Sequence, residues 1–182
     1  MNNTMTRWHA DHVHFSRLLD LLKRQVSAFH EGSAPDYDLM LDIVAYLREH
    51  GDSVHHPMED MAFARLVQRA PEMRIPVNRL KQEHRAIAFA GEELVGLLKE
   101  ITADNVVERK KVESAAALYL VYYRHHLATE EREVLPRAAR LLDESDWQAV
   151  AGAVPERADP LFGTAQGTGF RKLQEALSQT TA

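Results

Sequence analysis

The chain of 182 residues contains no cysteine. That absence excludes disulfide bonds, thiolate metal ligands and a cysteine nucleophile, and it fits a reducing compartment such as the cytoplasm. Glycine and proline are also scarce, with 8 and 7 residues, so the sequence favours long and largely unbroken helices. No apolar run approaches the roughly 18 residues of a membrane span.

The chain also lacks a net positive charge, since its formal net charge is -5, and it contains no long block of lysine and arginine. We therefore expect it to bind neither nucleic acid nor an anionic membrane. Residues 1–9 lack the apolar stretch of a signal peptide, which also favours a cytoplasmic location. The length suits one domain with a tail.

Apolar residues recur at alternating steps of three and four in four segments, at about residues 5–30, 37–69, 77–101 and 105–141. Such stripes are typical of helices that pack in a bundle. The connections between the segments are short, so neighbouring helices should be antiparallel. The sequence thus predicts an all-α fold, an up-down-up-down four-helix bundle formed by residues 1–142.

Residues 143–182 show a weaker pattern and are interpreted as a tail that packs on the bundle. Ser145 is positioned to cap a short helix through Val150, and residues 170–177 can form a last one. Residues 159–169 resemble a loop.

Two further signals concern helix boundaries within the bundle. Pro57 lies inside the second segment and should kink that helix or start a new one, because proline cannot donate a backbone hydrogen bond. Asp104 or Asn105 is a candidate N-cap for the fourth helix.

Histidine is abundant, with ten residues. Eight of them fall in four tight groups: His9, His12, His14, His55, His56, His84, His125 and His126. Polar residues take core positions of all four apolar stripes, namely His12, His55 with Glu59, His84, and His126 with Glu130. The sequence thus places a histidine on the inner face of every helix.

The two halves of the chain repeat this arrangement. His12 and His55 are separated by 43 positions, and His84 and His126 by 42. The repeat predicts two αα-hairpins, each with one histidine on its first helix and one His-x-x-x-Glu motif on its second. Packed together, the hairpins would gather four histidines and two glutamates in one interior.

Residues four apart lie on the same helix face, so each His-x-x-x-Glu pair can converge on one point. A glutamate buried alone would cost several kcal/mol or take up a proton, and two facing each other would cost more. A pair of divalent cations removes that penalty, and imidazole with carboxylate suits iron, manganese or zinc. We therefore expect the metal-free chain to be less stable than the loaded one.

Other polar residues near these positions are less clearly assigned. Four histidines fall off the inner stripes and are expected at the surface: His9, His14, His30 and His50. His56 and His125 are about 100° around their helices from the stripe and should face helix seams. Asp60 and Glu131 are expected to support the ligands or lie at the surface, and three tyrosines are expected in the core or at an interface: Tyr119, Tyr122 and Tyr123.

From Trp8 to Leu142, these motifs resemble the hemerythrin-like, or HHE cation-binding, family. The resemblance implies a non-haem di-iron centre, with two iron ions joined by an oxo or hydroxo bridge and manganese or zinc as alternatives. It assigns six metal ligands, with both glutamates bridging: His12, His55, Glu59, His84, His126 and Glu130. It also implies reversible binding of oxygen or a related small molecule.

The sequence departs from the oxygen carriers of that family at one position. Those proteins have a second histidine four residues after the third-helix histidine, and Ala88 occupies that position here. Either the centre is symmetric, with two histidines on each ion, or another group fills the gap. The candidates are His56, His125, Glu131 and water.

Three functions are compatible with these residues. The first is a binding or sensing protein for oxygen, nitric oxide, peroxide or iron, acting alone, as a homodimer or through a partner protein. The second is an enzyme, a di-iron oxidase, a peroxidase or a protein that consumes nitric oxide, which would use an open coordination position. The third is a metal-free interaction scaffold, against which the two buried glutamates argue.

Overall fold

The computed structural model of the chain describes residues 3–153, 155, 159–162 and 170–179, without the side chains of Phe29, His30 and Arg171. These residues form helices and contain no strand, which confirms the prediction of an all-α fold. The predicted surface position of His30 and most of the predicted loop, at 163–169, lie outside the described residues.

Eight α-helices follow one another in the described residues: α1 Asn3–His30, α2 Tyr37–Tyr46, α3 His56–Arg69, α4 Arg74–Thr102, α5 Arg109–Thr129, α6 Leu135–Leu141, α7 Glu144–Ala151 and α8 Arg171–Gln179. Two π-helical segments, Leu47–His55 and Glu130–Val134, join α2 to α3 and α5 to α6. A 3₁₀ turn, Pro71–Met73, precedes α4.

A proline explains where each π-helical segment ends. Pro57 lies in the first turn of α3 and Pro136 in the first turn of α6, where a missing N–H costs little. The restart of the helix at Pro57 confirms the prediction from its sequence. The π-helical segments reach the candidate ligands, since one ends at His55 and the other begins at Glu130.

The predicted N-cap of the fourth bundle helix is wrong, because α5 begins only at Arg109. Asp104 adopts a left-handed φ of 59°, and the backbone N–H of Asn105 donates to the carbonyl of Glu100 at 2.9 Å. Both residues therefore close the end of α4. A short polar residue such as aspartate tolerates this backbone conformation better than most others.

The predicted cap of α7 is also displaced. Asp143, rather than Ser145, accepts the backbone N–H of Asp146, whose side chain in turn accepts the N–H of Asp143. Trp147 is buried and packs edge-on against Trp8 of α1, with ring centroids 5.8 Å apart. This helix therefore lies against the bundle at the N-terminal end of α1.

Two apolar clusters form the core, and the candidate ligands lie between them along each helix. One cluster includes Phe15, Ile87 and Tyr123, and the other includes Trp8 and Phe63. Helix α1 contacts α2 and α5, and α4 contacts α2, α3 and α5, so these elements pack as a helical bundle. Across the described residues, every helix is too short or too polar to cross a lipid bilayer.

Gly51 lies where the first π-helical segment closely approaches Tyr123 of α5. A Cβ atom at this position would lie 2.5 Å from the hydroxyl oxygen of the fully buried Tyr123. We expect Gly51→Ala to reduce the free energy of unfolding by about 1–3 kcal/mol through overpacking. Urea unfolding of the variant measures this loss.

Gly96→Ala is the matched control, because a Cβ at this exposed helical position meets no atom within 4 Å. It should raise the free energy of unfolding by about 0.5–1 kcal/mol through helix propensity. A Gly51→Ala chain that is as stable as the Gly96→Ala chain would contradict the close approach.

Candidate metal centre

The structure brings the six predicted ligands together in one buried cluster. None is more than 7% exposed: His12, His55, Glu59, His84, His126 and Glu130. Within each His-x-x-x-Glu pair the predicted convergence is present, with 3.1 Å between His55 Nε2 and Glu59 Oε1 and 3.2 Å between His126 Nε2 and Glu130 Oε2.

Glu59 faces histidines from both hairpins. Its Oε1 atom lies 3.1 Å from His55 Nε2 and 3.4 Å from His12 Nε2, and its Oε2 atom lies 3.6 Å from His84 Nε2. One carboxylate oxygen thus faces His12 and His55, and the other faces His84. A carboxylate that bridges two cations needs this arrangement.

Glu130 occupies the corresponding position from the second hairpin. Its Oε1 atom lies 3.5 Å from His84 Nε2, and its Oε2 atom lies 3.2 Å from His126 Nε2 and 3.6 Å from His12 Nε2. Both glutamates therefore face His12 of the first hairpin and His84 of the second.

Most of the inward-facing atoms lack hydrogen bonds, although the Nε2 atoms of His12 and His55 lie within hydrogen-bond distance of each other, at 2.9 Å. All four carboxylate oxygens of Glu59 and Glu130, and the Nε2 atoms of His84 and His126, are buried without a partner. Leaving buried polar atoms unpaired costs several kcal/mol. Divalent cations would satisfy all of these atoms at once, so the donor set fits a metal centre.

His56 joins the cluster, although the sequence left its role open. Its ring stacks on His84 with centroids 4.3 Å apart, and its Nε2 atom is buried without a partner. His56, Glu59, His84 and His126 each offer a ligand atom within 4.8 Å of the others, while His12, His55 and Glu59 form a second such group. The π-helical segment that ends at His55 changes the angular register of the helix, which the regular periodicity could not reveal.

Four of the candidate ligand histidines form a hydrogen bond with an acidic side chain through Nδ1, the ring nitrogen that does not face the two glutamates. The Nδ1–H groups donate to carboxylates in four pairs: His12 to Glu131 at 2.7 Å, His55 to Asp11 at 2.9 Å, His84 to Asp60 at 3.0 Å and His126 to Glu83 at 3.4 Å. Such partners fix the tautomer and turn Nε2 toward the metal position. Asp52 lies 3.3 Å from His56 Nδ1, outside hydrogen-bond geometry.

The acidic partners follow the repeat of the two hairpins. Asp11 and Glu83 immediately precede His12 and His84, and each supports the histidine on the second helix of its own hairpin. Asp60 and Glu131 reach across to the first-helix histidine of the other hairpin. The sequence left Asp60 and Glu131 either as supports of the ligands or as surface residues, and the structure shows both hydrogen-bonded to candidate ligands.

A family comparison agrees with this geometry, since the family model described as the hemerythrin HHE cation binding domain matches residues 3–138. The chain belongs to this family. The resemblance inferred from the sequence is confirmed, and with it the coarse function of a metal-binding domain. Comparisons with curated proteins and with solved structures give no match.

The other histidines whose side chains the structure describes lie outside the cluster. His125 is half-exposed and contacts Arg79, and His9 is partly exposed beside Glu131. The surface prediction for His50 is wrong, because its side chain is 3% exposed and stacks on Tyr46.

The surface prediction for His14 is also only partly right. Its ring is half-buried and stacks on Phe162, with centroids 3.7 Å apart. Phe162 belongs to the tail, so the sequence of the first helix alone gave no sign of this contact. Tyr119 and Tyr123 are fully buried core residues, as expected, and Tyr122 is 42% exposed.

Without metal, protons would neutralise part of this HHE site. Burial lowers the pKa of His12, but Glu131 and Glu59 outweigh it and raise that pKa to about 10. Burial acts the same way on His84, and Asp60 with Glu130 raises its pKa to about 10. Burial holds the pKa of His56 well below its ordinary value, which keeps this imidazole in the neutral form that metals bind.

We expect the stability of the metal-free chain to fall as the pH rises from about 6.5 to 10. The pKa values of His12 and His84 are raised on folding, so their contribution is complete below the unfolded value of about 6.5 and is lost as the pH rises through about 10. Metal binding strengthens over the same range because protons compete less for the ligands.

Thermal melting of the loaded and metal-free chains at pH 6.5 and pH 9.5 measures both effects. The loaded chain should melt higher, and the difference between the two melting temperatures should be larger at pH 9.5. Equal melting temperatures with and without metal would contradict the assignment of the site.

Proposed function

We propose that this HHE domain holds two iron ions and that the centre binds or senses a small ligand such as oxygen, nitric oxide or peroxide. The observation that carries the proposal is the pair of buried glutamates, Glu59 and Glu130, whose four oxygens have no hydrogen-bond partner. Each faces histidines of both hairpins, which supports a bridging position.

The two groups of side chains suggest how the ions are shared. His12 and His55 would hold one ion, and His56, His84 and His126 the other. His56 would then supply the ligand that is missing at Ala88, a residue that lines a different groove, beside Asp52. Iron bound by these residues would supply open coordination positions and a change of oxidation state, and manganese or zinc suits the same donors.

The proposed topology is the antiparallel four-helix bundle predicted from the sequence. The packing of α1 on α2 and α5, and of α4 on α5, supports it. Location in the cytoplasm and assembly as a homodimer or with a partner protein stay predictions from the sequence.

A surface groove of about 580 Å³ between α1 and α5 reaches the site from outside. Its lining includes the buried candidate ligand His12 together with Glu131 and the exposed residues Ser16 and Ala128. The ion held by His12 and His55 has one histidine fewer than the other, so we place the ligand-binding position on this side.

The groove also favours a second candidate function, a di-iron oxidase or peroxidase. Its volume admits a molecule larger than a diatomic gas, and its lining includes a carboxylate and an imidazole in contact with each other, Glu131 and His9. Consumption of peroxide or oxygen by the iron-loaded chain would favour this enzyme. A reversible spectral change without consumption would favour the binding protein.

Elemental analysis of the iron-loaded chain, with an absorption spectrum in air, tests the centre. We expect about two iron ions per chain and near-ultraviolet charge-transfer bands. Glu59→Gln with Glu130→Gln should lose both, because the bridging charge is removed.

Glu133→Gln is the matched control, since this acid lies in the same π-helical segment as Glu130 but is 47% exposed. It should keep the iron content and the spectrum of the native chain. One metal ion per native chain, or equal iron content in the Glu59→Gln/Glu130→Gln chain, would refute the dinuclear proposal.

A bulky residue in the groove should slow ligand association. Ala128→Phe is expected to lower the association rate of nitric oxide roughly tenfold while the iron content stays unchanged, because this exposed residue lines the groove and is not one of the candidate ligands. Stopped-flow absorption measures the rate.

Ser114→Phe places the same side chain in a separate groove between α4 and α5 and serves as the control. Its association rate should equal that of the native chain. Equal rates for both variants would show that the ligand reaches the centre by another route.

A further inference from the structure

A further group of side chains that could hold a metal ion lies beside the cluster of candidate ligands. Asp11 and His14 come from α1 and Asp159 from the tail, and each offers a ligand atom within 4.8 Å of the others. His50, from the first π-helical segment, faces the two carboxylates. Aspartate and histidine in these numbers form a donor set that suits zinc and other borderline divalent cations.

His50 is the second, independent sign of a ligand. Its side chain is 4% exposed, and its Nε2 atom is buried without a hydrogen-bond partner. That atom lies 3.7 Å from Asp11 Oδ1 and 3.8 Å from Asp159 Oδ2, beyond hydrogen-bond distance. His14 also has a buried ring nitrogen, Nδ1, without a partner.

These separations suit a shared cation better than direct contact. Two donors that each lie about 2.1 Å from a tetrahedral metal ion are about 3.4 Å apart. The gaps around His50 are slightly wider than this value, so a small shift would close them around an ion. Direct hydrogen bonds would instead have drawn the atoms to about 2.9 Å.

The tail carboxylate is held in place by its own contacts. Asp159 Oδ1 accepts the backbone N–H groups of Leu161 and Phe162 at 2.8 and 3.0 Å, and the Tyr46 hydroxyl donates to Oδ2 at 3.0 Å. Phe162 stacks on the ring of His14. The segment 159–162 is therefore fastened where the donors meet.

Asp11 connects this group with the dinuclear cluster. Its Oδ2 atom accepts the Nδ1–H of His55 at 2.9 Å, while Oδ1 faces His50. One carboxylate thus supports a candidate ligand with one oxygen and presents the other oxygen to His50.

We propose that Asp11, His14, His50 and Asp159 form a separate mononuclear site for a divalent cation of the zinc type. The ion fastens the tail segment 159–162 to α1 and to the first π-helical segment. This site goes beyond the dinuclear centre and does not depend on it, since it shares no ligand with that centre.

Zinc content per chain, measured after zinc loading and dialysis, tests the proposal in the full-length protein. The native chain should hold about three zinc ions and the Asp159→Asn chain about two. The Glu59→Gln/Glu130→Gln chain should hold about one, and adding Asp159→Asn to it should remove that ion. His14→Gln provides a second variant that leaves the contacts of Asp159 unchanged, and it should lose the same ion.

Asp20→Asn is the matched control, because this α1 aspartate is 58% exposed and pairs with Arg124. It should keep the native zinc content. If neither Asp159→Asn nor His14→Gln lowers the zinc content by one ion, the mononuclear site is refuted. If the native chain holds a single ion that Asp159→Asn removes, this proposal stands and the dinuclear one fails.

Discussion

Two carboxylates that face each other inside an apolar bundle constrain the rest of this structure. Glu59 and Glu130 are fully buried, and none of their oxygens has a hydrogen bond. Burying one unpaired carboxylate already costs several kcal/mol. The surrounding histidines therefore have a physical task, either to carry protons in the metal-free chain or to share cations with the glutamates.

The bundle is arranged to keep those histidines oriented. Each of four imidazoles donates its outer N–H to an acidic residue, and the pairs follow the repeat of the two hairpins. The π-helical segments lie next to the prolines that restart the helices, so the altered hydrogen-bond pattern coincides with the ligand motifs. Local irregularity of this type is frequent at functional sites.

The sequence predicts the cluster because a polar residue on an apolar stripe must be buried, and its burial costs free energy unless it has a partner. The six predicted ligands are the polar residues that continue the step of three and four, and the structure gathers all of them. The burial of His50 was not foreseen and the role of His56 was left open, since both lie in or next to a π-helical segment where that step no longer holds.

Contacts made by distant parts of the chain were equally invisible in the sequence. Asp159 accepts a hydrogen bond from Tyr46 and lies beside His50, although it follows both residues by more than a hundred positions in the sequence. The misplaced caps have a more local cause. Asp104 and Asn105 serve the end of one helix, and composition alone does not distinguish that position from the start of the next.

The most direct test of the account is a crystal structure of the iron-loaded chain with anomalous scattering measured at the iron edge. We expect two iron peaks between Glu59 and Glu130, with His56 bonded to the same ion as His84 and His126. A single peak, or iron bound away from these two glutamates, would contradict it.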